Sequence, residues 1–228
     1  MPPVLPRPLL LPMTASSNAL DLVYRDESLL VANKPAGLLA VPGRGADKQD
    51  CLSARLQSKF PDALVVHRLD MATSGLMVFA RGAEMQRRLS MMFQEREVEK
   101  RYVAVVAGKL EAEAGEVNLP IVADWPNRPL QKIDAESGKP SLTRYRRTGF
   151  DKLSPNGFPE SSRVELEPVT GRTHQLRVHM AAIGHPILGD TLYGDAASAP
   201  RLLLHAASLS LAHPASGEPL NFASSPPF

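Results

Sequence analysis

Short strands and two amphipathic helices share this sequence, which predicts a mixed α/β (α+β) fold. Three observations carry that expectation. Short apolar or alternating runs recur, each bounded by Gly, Pro, Asn, Asp or Ser, as strands are. Two windows place apolar residues at helical spacing: Met85, Leu89, Met92 and Phe93, then Leu176, Met180 and Ile183. Finally, 43% hydrophobic residues in 228 supply a sizeable core, enough for one large domain or two small ones.

In chain order, residues 1–19 hold five prolines and a Thr-Ala-Ser-Ser-Asn run, the composition of a flexible tail with polyproline character. Residues 20–24 and 28–32 read as strands about an Arg-Asp-Glu turn. Pro35 and Gly37 mark the next turn, with Lys34 and then Arg44 as candidate phosphate contacts. Residues 50–60 read as a short helix with Asp50 as N-cap. The apolar run 76–80 is a strand buried on both faces, and residues 83–95 form the first amphipathic helix. Strands are expected over 100–108, 143–147, 163–169 and 201–206, with a hairpin loop over 151–161. The second amphipathic helix starts near Thr173 and stops at Gly184.

Composition narrows the function. The net charge is only +2, but the 26 basic residues are mostly Arg, which suits bidentate phosphate contacts and stacking on bases. High-GC codon usage would produce the same bias. With one cysteine, Cys51, the chain can build neither a disulfide framework nor a Cys-based zinc site, and a reducing cytoplasm fits. No apolar run reaches the roughly 18 residues of a membrane span, and Leu9-Leu10-Leu11 is too short for a signal peptide. His174 and His179 are five apart, about 140° off a common helix face, which disfavours a metal pair.

The chemistry concentrates in Val66–Ala80. His67, Arg68, Asp70, Thr73, Ser74 and Gly75 occupy a polar loop that runs directly into the buried strand, so a rigid support displays the side chains. Asp70 is its only carboxylate. The plain alternative is a tight turn in which Asp70 and Thr73 satisfy local amides.

His67-Arg68-Leu69-Asp70 followed by Thr73-Ser74-Gly75 resembles the signature of the RluA-type pseudouridine synthases. Asn33-Lys34-Pro35-x-Gly37, Lys100-x-Tyr102-x-Ala104 and Gly171-Arg172-x-His174-Gln175-Leu176-Arg177-x-His179 are similar to that family's other motifs. The resemblance covers about residues 20–225 and makes 20–228 a catalytic domain. It implies a long, mixed, mostly antiparallel sheet with flanking helices and a central RNA-binding cleft. Asp70 would be the catalytic residue and Arg177 its partner cation. Arg68 would displace the target base, Tyr102 would stack on it, and Leu176 would pack in the pocket. His67, Thr73, Lys34, Arg44, Arg172 and His174 are candidates for binding RNA. Val41–Arg44, Asp124–Pro129 and Pro200–His205 resemble the subgroup acting on both a large-subunit ribosomal RNA hairpin and a tRNA anticodon stem-loop. The implied enzyme is a cytoplasmic monomer needing no cofactor or metal and no membrane. Three rivals remain: a related synthase with a single ribosomal or tRNA target, a metal hydrolase, and an RNA-binding module without chemistry, which has no use for a lone carboxylate among cations.

Overall fold

The computed structural model describes residues 20–151 and 160–228. The expected tail, residues 1–19, and most of the expected loop 151–161 lie outside the described residues. Strands β1 (Leu22–Arg25) and β2 (Leu29–Lys34) form a hairpin about a turn in which Asp26 Oδ1 accepts the amides of Ser28 and Leu29 at 2.7 and 2.8 Å. Helix α1 (Leu52–Gln57), strand β3 (Ala63–Val65), strand β4 (Ser74–Arg81) and helix α2 (Gly82–Glu95) follow. Then come β5 (Glu99–Ala107), β6 (Ala114–Asn118), β7 (Ile121–Ala123), β8 (Gln131–Ile133), β9 (Leu142–Asp151) and β10 (Ser161–Pro168). Helix α3 (Gln175–Ala182) and strands β11 (Leu204–Ala212) and β12 (Pro219–Ala223) complete the chain.

One sheet runs β1-β2-β4-β11-β5-β10-β9-β6, with β3 beside β4 and β12 beside β11; β7 and β8 pair separately. Among the described strands of this sheet only the β4–β11 pairing is parallel, so the sheet is mixed and mostly antiparallel, as expected. The apolar run of β4 is buried throughout, because helices cover both faces there. On one face α1 packs Leu52 and Leu56 against Leu30, Met77 and Phe79. On the other, α2 buries Leu89 with Val31, Leu76 and Val78, flanked by Met85, Met92 and Phe93 at the predicted spacing. Further along the sheet, α3 sets Leu176 and Met180 against Ala104, Val164 and Leu166.

The N-cap of α1 is Cys51, not Asp50: its buried Sγ accepts the Ala54 amide at 3.4 Å. Asp50 is instead drawn to Arg55, whose guanidinium grips both its carboxylate oxygens at 2.7 Å. In α2, Glu84 pairs with Arg87 and Arg88 across one turn, which commits those arginines to the helix surface. Among the described residues, no helix is long and apolar enough to cross a membrane.

Gly75 is where the polar loop becomes strand. Its φ is +116°, and a Cβ there would lie 2.4 Å from the Ala206 carbonyl oxygen across the parallel pairing. Neither the backbone angle nor the approach tolerates a side chain. Gly75→Ala should therefore cost about 2–5 kcal/mol through strain and overpacking. Urea unfolding of the purified variant checks this, and a midpoint equal to wild type would refute the close approach.

Candidate active site

The loop before β4, the start of β5, the α3 N-terminus and β11 surround a cavity of about 520 Å³. Of the residues expected at a site, His67, Arg68, Asp70, Thr73, Tyr102, Arg172, His174, Leu176 and Arg177 all line it. Arg44 does not; it is exposed on the loop after β2, away from the cavity wall. Asp70 is the only carboxylate among the described lining residues, which include five Lys or Arg side chains.

Asp70 sits in a turn closed by the Thr73 amide donating to its carbonyl at 3.1 Å. The next residue, Met71, accepts the Gly37 amide at 2.8 Å and the Lys34 ammonium at 3.0 Å. Lys34 is fully buried and also donates to the carbonyls of Pro35 and Leu38, at 2.9 and 2.7 Å. It is thus not an RNA phosphate contact. All three ammonium donors are spent joining the turn after β2 to the Asp70 turn, as a buried charge demands. Burial lowers its pKa to about 8, so Lys34 still carries its charge at neutral pH.

His67 also departs from expectation. Burial pushes its pKa down to about 3, leaving a neutral ring rather than a cation for RNA. Its Nε2 accepts the Val78 amide at 2.9 Å, and the ring stacks on Phe93 with centroids 4.4 Å apart. Its work is to hold the loop onto β4.

Arg177 is only 4% exposed. Its Nη1 reaches Asp70 Oδ2 at 3.4 Å, so the expected pairing exists. Its better partner is Asp190, which accepts Nε at 2.8 Å and Nη2 at 2.6 Å in a bidentate bridge. Asp190 is fully buried and also accepts the Leu192 and Tyr193 amides. Burial alone would raise the Asp190 carboxyl, but Arg177 and these amides hold it below the ordinary carboxylate value. Burial likewise opposes the Arg177 charge, and Asp190 together with Asp70 more than offsets that. The sequence analysis did not single out Asp190. The available signal was a lone carboxylate after Gly189, whose positive φ of +71° makes the turn that buries it.

His174 stands at φ +55° just before α3, with Nε2 3.8 Å from Asp70 Oδ2 and Nδ1 2.7 Å from Tyr193 Oη. Burial lowers its pKa despite the nearby Asp70 charge. Tyr193 Oη already accepts the Gln131 amide at 2.8 Å. The arrangement that uses every donor has Tyr193 donating to Nδ1 and a neutral His174 turning its Nε2 proton toward Asp70. Tyr102 is kept protonated by burial and by the Asp70 charge. Tyr102 and Leu176 form an apolar wall suited to a planar ring, while Arg68 and Arg172 are exposed at the rim. Thr73 is buried at the cavity edge, where its amide closes the turn. Among the described residues, no group of His, Cys, Asp and Glu could hold a metal ion.

The sequence model of the RNA pseudouridylate synthase family matches residues 28–182. The chain is 48% identical over 206 residues to the dual-specificity RNA pseudouridine synthase RluA of Escherichia coli K12, spanning 89% of this chain and 91% of that protein. It is likewise 48% identical over 208 residues to RluA of Haemophilus influenzae. Among solved structures, human RNA pseudouridylate synthase domain containing 1 superposes with a TM-score of 0.76 at 31% identity, covering 92% of this chain and 85% of that one. Human RNA pseudouridylate synthase domain containing 4 gives 0.70 at 28%, covering 91% and 88%.

The Arg177–Asp190 bridge yields a pH-dependent expectation. Asp190→Asn leaves a buried guanidinium without its main counter-charge, so stability at pH 7 should fall by about 3 kcal/mol or more. A carboxylate held below its usual value stabilises the fold above the unfolded pKa of about 4, and that stability is lost as pH falls through the lower folded value. The gap between wild type and variant should thus be full at pH 7 and shrink toward pH 3. Urea midpoints at both pH values measure it; a gap that stays constant would exclude the ion pair as its source.

Proposed function

The chain belongs to the RNA pseudouridylate synthase family, an isomerase family, and on that premise we propose that Asp70 is the catalytic residue of a dual-specificity enzyme. Its substrates are a large-subunit ribosomal RNA hairpin and a tRNA anticodon stem-loop. The reaction breaks the bond between uracil N1 and ribose C1′, turns the base, and joins C5 to C1′. The C5 proton is lost and N1 gains one, so atoms balance without an oxidant or a group donor.

One observation carries the reading. Among the described residues, a single carboxylate lies in a cavity whose lining includes five Lys or Arg side chains. Cations recruit the phosphates, and the lone carboxylate is left for chemistry as nucleophile or base. Arg68, exposed at the rim, is placed to displace the target base from its stack. Tyr102 offers its ring to the flipped uracil, and Leu176 closes the apolar wall. Arg177, fixed by Asp190, positions the Asp70 carboxylate, and His174 approaches its other side. Arg172 contributes to RNA affinity at the α3 end of the cavity. Residues 20–228 form this catalytic domain behind a tail of residues 1–19, acting as a cytoplasmic monomer without a cofactor.

Asp70→Asn should abolish pseudouridine formation while hairpin binding persists. Turnover above a tenth of wild type would refute the assignment. The dual specificity is tested by competition. If one cavity serves both RNAs, each hairpin inhibits modification of the other, and Asp70→Asn loses both activities together. Modification of only one hairpin when both bind would reduce the enzyme to a single target and leave the chemistry standing.

A further inference from the structure

Residues 119–140 leave the large sheet, fold on the β7–β8 hairpin and return. The tip, residues 124–130, is a tight corner. The amides of Asn127 and Leu130 donate to Asp124 and Asn127 carbonyls at 3.0 Å, and the Asp124 amide donates to Leu130 at 2.9 Å. The Asn127 side chain adds a 2.9 Å bond to the Asp124 carboxylate. Pro126 and Pro129 restrict two further φ angles. This rigid corner holds up Trp125, which at 67% is the most exposed large hydrophobic side chain among the described residues. The Arg128 guanidinium lies 3.3 Å from the indole centroid, against one face of a ring that is otherwise largely exposed.

Two contacts tie the excursion to the cavity rim. The Gln131 amide donates to Tyr193 Oη, the hydroxyl that meets His174. Arg172, on the cavity wall, donates to the Pro140 carbonyl at 3.3 Å. Ala123 pairs with Gln131, so Trp125 stands two residues beyond the Tyr193 anchor. Chain reach places its backbone within about 15 Å of that hydroxyl. An indole this bare contributes nothing to a core, yet its corner is tied to residues at the rim of the cavity proposed to take RNA.

We propose that Trp125 and Arg128 form a stacking platform for an unpaired nucleobase of the substrate RNA, next to the target uridine. The base stacks on the open indole face, and Arg128, backing the other face, reaches the adjoining phosphate. The proposal rests on the RNA-modifying reading above and adds a subsite to it. Stacking needs only a π-face, so the platform accepts loops of different sequence while rejecting duplex, whose bases are already stacked. One enzyme can then take two unrelated hairpins.

Trp125 is the only tryptophan in the chain, so its fluorescence reports the platform directly. Asp70→Asn protein is titrated with an anticodon stem-loop RNA and, separately, with a blunt duplex of equal length. The stem-loop should quench the emission at saturation, and the duplex should leave it unchanged. Trp125→Ala should lower kcat/KM for the stem-loop by about 5- to 150-fold, mainly through KM, and Trp125→Phe should restore most of the loss. Saturating stem-loop binding, followed by anisotropy of labelled RNA, with unchanged emission would overturn the platform. So would a Trp125→Ala enzyme with the KM of an active wild type. If wild type forms no pseudouridine, the functional reading falls, and the emission arm still decides the platform.

Discussion

Arg177 is a cation shut off from water, and the site is organised around satisfying it. A guanidinium at 4% exposure is costly unless its donors are matched. Asp190 takes two of them, which fixes the plane of the group and leaves Nη1 to reach Asp70 at 3.4 Å. Asp190 is itself fixed by two backbone amides in the turn after Gly189. A Cβ on Gly189 would lie 1.9 Å from the Arg201 carbonyl oxygen, so that turn can pass only as glycine. The orientation of the cavity carboxylate thus depends on a turn that does not line the cavity.

The same loop is held from behind. Lys34 spends its three donors on Pro35, Leu38 and Met71, tying the backbone beside Asp70 to the end of β2. His67 fastens the other side of the loop to β4 through the Val78 amide. Gly75 brings the strand against Ala206 of β11. Each anchor belongs to a different part of the sheet, so the loop cannot shift without breaking several contacts. That is the support a reacting group needs to keep its geometry.

Much of this was legible in the sequence, for physical reasons. Burial leaves a period, so β4, α2 and the apolar stripe of α3 could be read from spacing. The polar loop before β4 stood out because chemistry-bearing residues rarely crowd so closely, and its motif match set Tyr102, Leu176 and Arg177 at the same cavity. What stayed hidden were pairings across sequence. Lys34 looks like any turn lysine until three carbonyls from two separate turns converge on it. Asp190 has no local pattern, since its partner lies one helix earlier in the chain. Asp50 was the better cap by residue type, but Arg55 outbid the helix amides for its carboxylate and left the cap to a thiol. The short strands β6, β7, β8 and β12 bury few side chains, so their periods were too weak to read.

These pairings divide the charges of the site into two sets. The enclosed set is balanced: Asp70 and Asp190 against Arg177 and Lys34, each held by named hydrogen bonds. It therefore exerts little net pull on a polyanion. The exposed set is Arg68, Arg96 and Arg172 on the rim, open to water and to counterions, with Lys100 half-buried over the Phe93 ring between the two sets. Salt screens exposed charges far more than enclosed ones. Ionic strength should consequently act on the rim and leave the geometry of the carboxylate unchanged. Charges on the rim can meet a polyanion without disturbing the buried array that holds the Asp70 carboxylate.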